Sequence, residues 1–172
     1  FLSVKFLCNY TVKTRERFIK MRIALYEPDI PQNTGTILRL AACFKISVDI
    51  IKPCGFIISD RRLKRSGMDY IEKVNLNYHD SWDVFLNTVQ NLEKARIILL
   101  TTKSKNNFIN FIFKKTDILL LGRESAGVPD HVRSQADENI VIPMTKGSRS
   151  LNIAISAAMV LGEAMRQTNT YP

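Results

Sequence analysis

The chain has 172 residues, 45% of them hydrophobic and 24% charged, with 25 Lys and Arg against 16 Asp and Glu for a net charge of +9. That is chain enough for one domain with its own core, and the basic balance favours a polyanionic partner without specifying a fold. No apolar run reaches the roughly 18 residues of a membrane span, and Cys8, Cys43, Cys54, His79 and His131 form no CxxC or zinc-ligand spacing, so no metal is expected and a reducing cytoplasmic compartment fits.

Residues 1–20 (FLSVKFLCNYTVKTRERFIK) differ in character from the remainder of the chain. Short apolar patches are broken by charge, with Lys5, Lys13, Arg15, Arg17 and Lys20 against Glu16, which suits a secretory signal poorly. The expectation is an N-terminal extension, disordered or artefactual, and a single domain over 21–172 that opens at Met21.

Residues 21–26 (MRIALY) are a short apolar run, a buried strand. Residues 27–32 (EPDIPQ) carry two prolines and read as loop. Asn33 is placed to cap a helix over 34–44, where Ile37, Leu38, Ala41, Ala42 and Phe44 recur at helical spacing. A second strand at 47–51 is stopped by Pro53 and Gly55. Residues 60–65 (DRRLKR) suggest a short basic helix ending at Gly67, and 70–78 a strand. Ser81 is expected to cap a helix to about 92, striped by Trp82, Phe85, Leu86 and Val89. Residues 96–101 (RIILLT) and 117–121 (DILLL) are buried strands, and 128–135 is a short helix with Pro129 in its first turn. Residues 139–142 (NIVI) make a last strand before a long helix over 151–167.

Strands alternate with helices, and the strands are continuous apolar runs. That pattern predicts an α/β protein with a mostly parallel sheet covered by helices on both faces. Ligands in such sheets bind beyond the carboxyl ends of the strands, which directs attention to the loops after Tyr26, Leu100, Leu121 and Ile142.

Those loops are unusual. They read PQNTGTILR, GRESAGVP and PMTKGSRSLN after the first, fifth and sixth strands. None is a GxGxxG, a GxxxxGK[ST] or a GxSxG, so the familiar dinucleotide, P-loop and hydrolase signatures are missing. Gly122 and Gly127 serve turn geometry or the close approach of backbone to a flat ligand. Glu124 caps the next helix or accepts a hydrogen bond from a ligand. Arg39 is a snorkelling surface arginine or an anion clamp. Ser148, Arg149, Ser150 and Asn152 stand at the mouth of an apolar helix, as a cap or as a polar site.

Together the three loops closely resemble the three signature motifs of the SpoU (TrmH-like) branch of the SPOUT RNA methyltransferases. Asn33-Thr34-Gly35 with Arg39 matches the first motif. The run from Gly122 to Pro129 (GRESAGVP) matches the second, and Ile142-Pro143-Met144 followed by Ser148-Arg149-Ser150-Leu151-Asn152 the third. The stretches YEPDIPQNTG, RRLKRSGMDY and LTTK extend the likeness toward the small tRNA-specific members, over about residues 21–167. Two departures are visible: Arg123 stands where proline is common in those members, and the final tail is short.

The resemblance implies a deep trefoil knot at the C-terminal part of the sheet, which periodicity does not predict. It implies S-adenosylmethionine as cofactor, held by Leu100, Gly122, Ile142 and Ser150 largely through backbone groups, with Thr101 and Thr102 beside it. It makes Arg39 the catalytic residue, and Asn33, Glu124, Arg149 and Asn152 the residues that order the pocket or hold the nucleotide. The implied reaction is methylation of the ribose 2′-hydroxyl of the wobble nucleotide, C or U, in leucine tRNAs, without a metal. A guanidinium with a pKa above about 12 is a poor base, so Arg39 either orients the hydroxyl or holds a phosphate that takes the proton. The resemblance further implies a homodimer, with Ile155, Ala158, Val160, Leu161 and Met165 as a candidate interface. Arg61, Arg62, Lys64 and Arg65 are the candidate RNA contact. The alternatives are another tRNA position or ribosomal RNA as substrate and, less well supported by the residues, a non-catalytic RNA-binding module.

Overall fold

The computed structural model describes residues 21–57, 70, 73–92 and 95–172. The extension at 1–20, the expected basic helix at 60–65 and the Arg61–Arg65 cluster lie outside the described residues.

Six strands form one sheet: β1 (Arg22–Tyr26), β2 (Ser47–Ile51), β3 (Leu76–His79), β4 (Arg96–Leu100), β5 (Asp117–Leu121) and β6 (Glu138–Ile140). Their order across the sheet is β3-β2-β1-β5-β4-β6, and every pairing is parallel. β5 is inserted between β1 and β4, so the loops leaving β1, β4, β5 and β6 gather at one end of the sheet.

The central strands are buried on both faces, which is why β1, β4 and β5 read as apolar runs. On one face Ile23, Leu25, Ile50, Ile98, Leu119 and Leu121 pack with Ile37, Leu38 and Ala41 of α1 (Pro31–Phe44) and with Ala157, Val160, Leu161 and Ala164 of α4 (Ile153–Thr168). On the other face Ala24, Tyr26, Ile97, Leu99, Ile118 and Leu120 meet Trp82, Phe85 and Val89 of α2 (Trp82–Gln90) and Val132 of α3 (Asp130–Gln135). The alternation along each strand is the period of two that pleating imposes.

The amino ends of β4 and β5 are pinned by charge. Arg96 donates from Nε and Nη2 to the two carboxylate oxygens of fully buried Asp117, at 2.9 and 2.8 Å. This bidentate geometry is the strong form of an arginine–carboxylate pair.

Several boundaries differ from the sequence expectation. α1 starts at Pro31, with Ile30 as a cap that makes no side-chain bond. Proline fits the first helical position because the N–H it lacks would go unpaired there. Asn33 is therefore not the cap but a residue of the first turn. β3 spans Leu76–His79, and the described residues 70 and 73–75 of the expected strand 70–78 lie outside it. α3 begins after Pro129, which serves as its extended N-cap. β6 ends at Ile140, and Val141 continues only as an isolated bridge to Asn107.

Candidate active site

The three loops singled out by sequence meet at the carboxyl end of the sheet. The β1–α1 loop leaves Tyr26 through Glu27, whose φ of 43° is left-handed. It carries Asp29, whose carboxylate accepts the backbone N–H of Glu124 at 3.1 Å, the N–H of Ser125 at 3.3 Å and the Ser125 hydroxyl. Glu124 returns the arrangement. Its carboxylate accepts the N–H of Asp29 at 3.1 Å and the side-chain amide of Asn33, also at 3.1 Å.

From Asn33 the bonding passes to the third loop. The Asn152 amide donates to Asn33 Oδ1 at 3.0 Å. Asn152 Oδ1 accepts the N–H groups of Ala154 and Ile155, at 2.9 and 3.3 Å, and so caps α4. The polar run before the last helix is thus both a cap and a link to the other two loops.

Electrostatics follow from this bonding. The Glu124 side chain and then the Ser125 hydroxyl and the two loop N–H groups hold the Asp29 carboxyl down, from 3.8 to about 2. Burial first, and the neighbouring Asp29 carboxylate second, push Glu124 up. Glu124 is the member of the pair that more readily holds a proton.

Gly122 and Gly127 close the second loop. Arg123 and Gly127 exchange backbone hydrogen bonds at 2.9 and 2.8 Å. A Cβ on Gly122 would lie 2.6 Å from the Gly127 carbonyl carbon, while Gly127 has a φ of 67°. Both glycines are demanded by the loop itself. Arg123, which stands where proline is common in the small tRNA-specific members, reaches back across the loops: Nη1 donates to Glu27 Oε2 at 3.2 Å, and Nε lies 3.9 Å from Asp29 Oδ2.

These loops enclose a cavity of about 490 Å³. Leu100, Gly122, Ile142 and Ser150 line it, as do Asn33, Glu124 and Asn152, with Thr101 and Thr102. Arg39 and Arg149 are not part of that lining. Arg39 is exposed on α1, its guanidinium 5.3 Å from the Tyr70 ring centre, and Arg149 is exposed on the loop before α4. Sequence reasoning missed Asp29, Ser125 and the bonding role of Arg123. The available signal for Asp29 was an acid between two prolines in a loop leaving a buried strand.

A parallel α/β sheet with a cavity of this kind at its carboxyl end, walled by apolar strand ends and loop backbone, belongs to the ligand-binding α/β proteins. The SpoU rRNA methylase family model matches residues 20–162, and the chain belongs to that family. It is 52% identical over 145 residues to a tRNA (cytidine(34)-2'-O)-methyltransferase of Beijerinckia indica, covering 84% of this chain and 90% of the relative. A protein of the same name from Ancylobacter novellus is 45% identical over 151 residues, covering 88% and 95%. A solved structure described as giving structural insights into the 2-OH methylation of C/U34 on tRNA superposes with a TM-score of 0.81 at 36% identity, covering 86% of this chain and 95% of that one. The AviRb methyltransferase of Streptomyces viridochromogenes, solved with AdoMet, shares the fold with a TM-score of 0.80 at 23% identity, covering 87% of this chain and 60% of that one.

Proposed function

We propose that this protein transfers a methyl group from S-adenosylmethionine to the ribose 2′-oxygen of the wobble nucleotide of tRNA, with leucine isoacceptors as the first substrates to test. The observation that carries the reading is the hydrogen-bonded run from Asp29 through Glu124 and Asn33 to Asn152 at the mouth of the cavity. It occurs in a chain 52% identical to a relative named for that activity on cytidine(34).

The cavity suits the cofactor. Its volume of about 490 Å³ lies within the range of small-molecule sites. Leu100 and Ile142 offer apolar surface for a flat base, and the glycine-closed loop brings backbone donors and acceptors to the rim. Leu100, Gly122, Ile142 and Ser150 would hold S-adenosylmethionine, which supplies a methyl group already activated on sulfonium. The remaining work is positional and protolytic. Asn33, Glu124 and Asn152 fix the loops about the ribose, and Arg149 contacts the nucleotide. Arg39 acts by orienting the hydroxyl or by holding a phosphate that takes the hydroxyl proton.

Arg39 lies outside the cavity of its own chain, which is the placement a site completed by a second copy would have. The exposed apolar groups on and beside α4 support a homodimer through part of the face expected from sequence. Ile155 and Ala158 of that face are exposed, but Val160, Leu161 and Met165 are buried in their own subunit, and Ile30, Leu151 and Met159, 39–41% exposed, extend the patch near the cavity mouth and along α4. A cytoplasmic location accords with a tRNA substrate.

The deciding experiment is transfer of labelled methyl to unmodified leucine tRNA, followed by nucleoside analysis. Label in a 2′-O-methylated pyrimidine that disappears when the wobble base is changed supports the proposal. Label at another position or on ribosomal RNA replaces the substrate, and label on a base removes the 2′-hydroxyl chemistry.

A further inference from the structure

We infer that a second groove, beside the candidate active site, is a track for the phosphodiester backbone of the RNA substrate; the inference rests on the reading of the site as an RNA methyltransferase. The groove has a volume of about 760 Å³ and, among the described residues, no apolar side chain in its lining. Four of its residues are basic or imidazole side chains: Lys103, Lys105, His131 and Arg133. Among the described residues its one carboxylate, Asp130, is already engaged by Arg133 at 2.8 Å. Among the described residues no carboxylate pairs with Lys103 or Lys105, so their charge is available to an anionic ligand.

A further observation points to RNA rather than to a small anion. The groove shares Thr101, Lys103 and Arg133 with the cavity, so the two are continuous. A strand lying in the groove would lead a nucleotide to the cavity mouth. Cations along a groove that opens into the cavity form a set that the phosphates of an RNA strand satisfy as a whole.

Binding of unmodified tRNA over a salt series tests this, with Lys105→Glu compared to Lys115→Glu. Both lysines are exposed, and Lys115 stands near the amino end of β5, away from the groove, so the two variants change net charge equally. The expected result is affinity lower by about tenfold in K105E and a log–log salt slope shallower by about 1, with K115E within about twofold of wild type. S-adenosylmethionine binding by calorimetry, unchanged in K105E, would show an intact fold. Equal losses in the two variants would mean net charge alone, and no loss in either would leave the groove without RNA; both results overturn the inference. A wild-type protein that binds no RNA removes the proposed function as well, whereas wild-type binding that ignores K105E removes the groove alone.

Discussion

Asp29 and Glu124 stand 95 residues apart, and each accepts the other's backbone N–H on a carboxylate oxygen at 3.1 Å. This reciprocal clasp joins the loop after β1 to the loop after β5, two strands that are neighbours in the sheet but far apart in the chain.

Asp29→Asn should weaken the clasp. An amide presents one acceptor oxygen where the carboxylate presents two, and its NH2 group would face the loop donors. Charge-assisted bonds of this kind stabilise by about 2 kcal/mol, so the urea midpoint should fall accordingly. The pH dependence has a definite sign. Asp29 titrates at about 2 in the fold against 3.8 ordinarily, so its stabilisation is complete above pH 3.8 and is lost as pH falls through 2. Glu124 is shifted the other way and takes up its proton more readily in the fold. The stability gap between wild type and D29N should therefore close across the window from pH 3.8 to 2, measured by denaturant titration at each pH.

Gly122→Ala and Gly127→Ala separate two reasons for a glycine. At 122 a Cβ would meet the Gly127 backbone at 2.6 Å, and backbone cannot swing aside as a flexible side chain can. The loop must open, at a cost of about 1–3 kcal/mol and with loss of cofactor affinity. At 127 no atom lies within 4 Å, and only the φ of 67° opposes a side chain. The cost there should be about 1 kcal/mol with the cavity retained. Calorimetric binding of S-adenosylmethionine to both variants checks the contrast.

Much of this architecture was legible because it is local. Continuous apolar runs marked the central strands β1, β4 and β5 and the parallel, doubly covered sheet. The polar stretch before the last helix gave the Asn152 cap, and the three-motif resemblance brought Asn33, Glu124, Gly122 and Ser150 to one cavity. What escaped was long-range or orientational. Asn33 read as a helix cap because its partners, Glu124 and Asn152, lie 91 and 119 residues away. Asp29 read as loop because its bonds are to a turn that no periodicity connects with it. The α4 face was only partly legible, with Ile155 and Ala158 exposed but Val160, Leu161 and Met165 buried, because an apolar helix gives little contrast between the side that meets the core and the side that does not.

Arg39→Ala should abolish methyl transfer while leaving calorimetric S-adenosylmethionine affinity within about twofold, since Arg39 does not line the cavity of its own chain. Arg39→Lys keeps the charge but loses the planar fork. Partial activity in R39K, with the loss mainly in kcat, would indicate that charge is the main requirement. Activity as low as that of R39A would indicate that fork geometry is required. Full activity in R39A would remove Arg39 from the mechanism.

Asn152 performs two tasks with opposite ends of one amide, and substitution can part them. Oδ1 caps α4, and Nδ2 donates to Asn33 Oδ1 at 3.0 Å. Asn152→Ala removes both and should cost about 1 kcal/mol for the cap alone. Asn152→Asp keeps a cap acceptor and adds a negative charge at the amino end of α4, which the helix dipole favours. It leaves no donor for Asn33, however, and sets carboxylate oxygen against amide oxygen. N152D should therefore be more stable than N152A by about 1 kcal/mol in urea unfolding, yet show equally impaired methyl transfer. If the more stable variant also recovered activity, the cap would be the only function of Asn152, and the link between the first and third loops would play no part in catalysis.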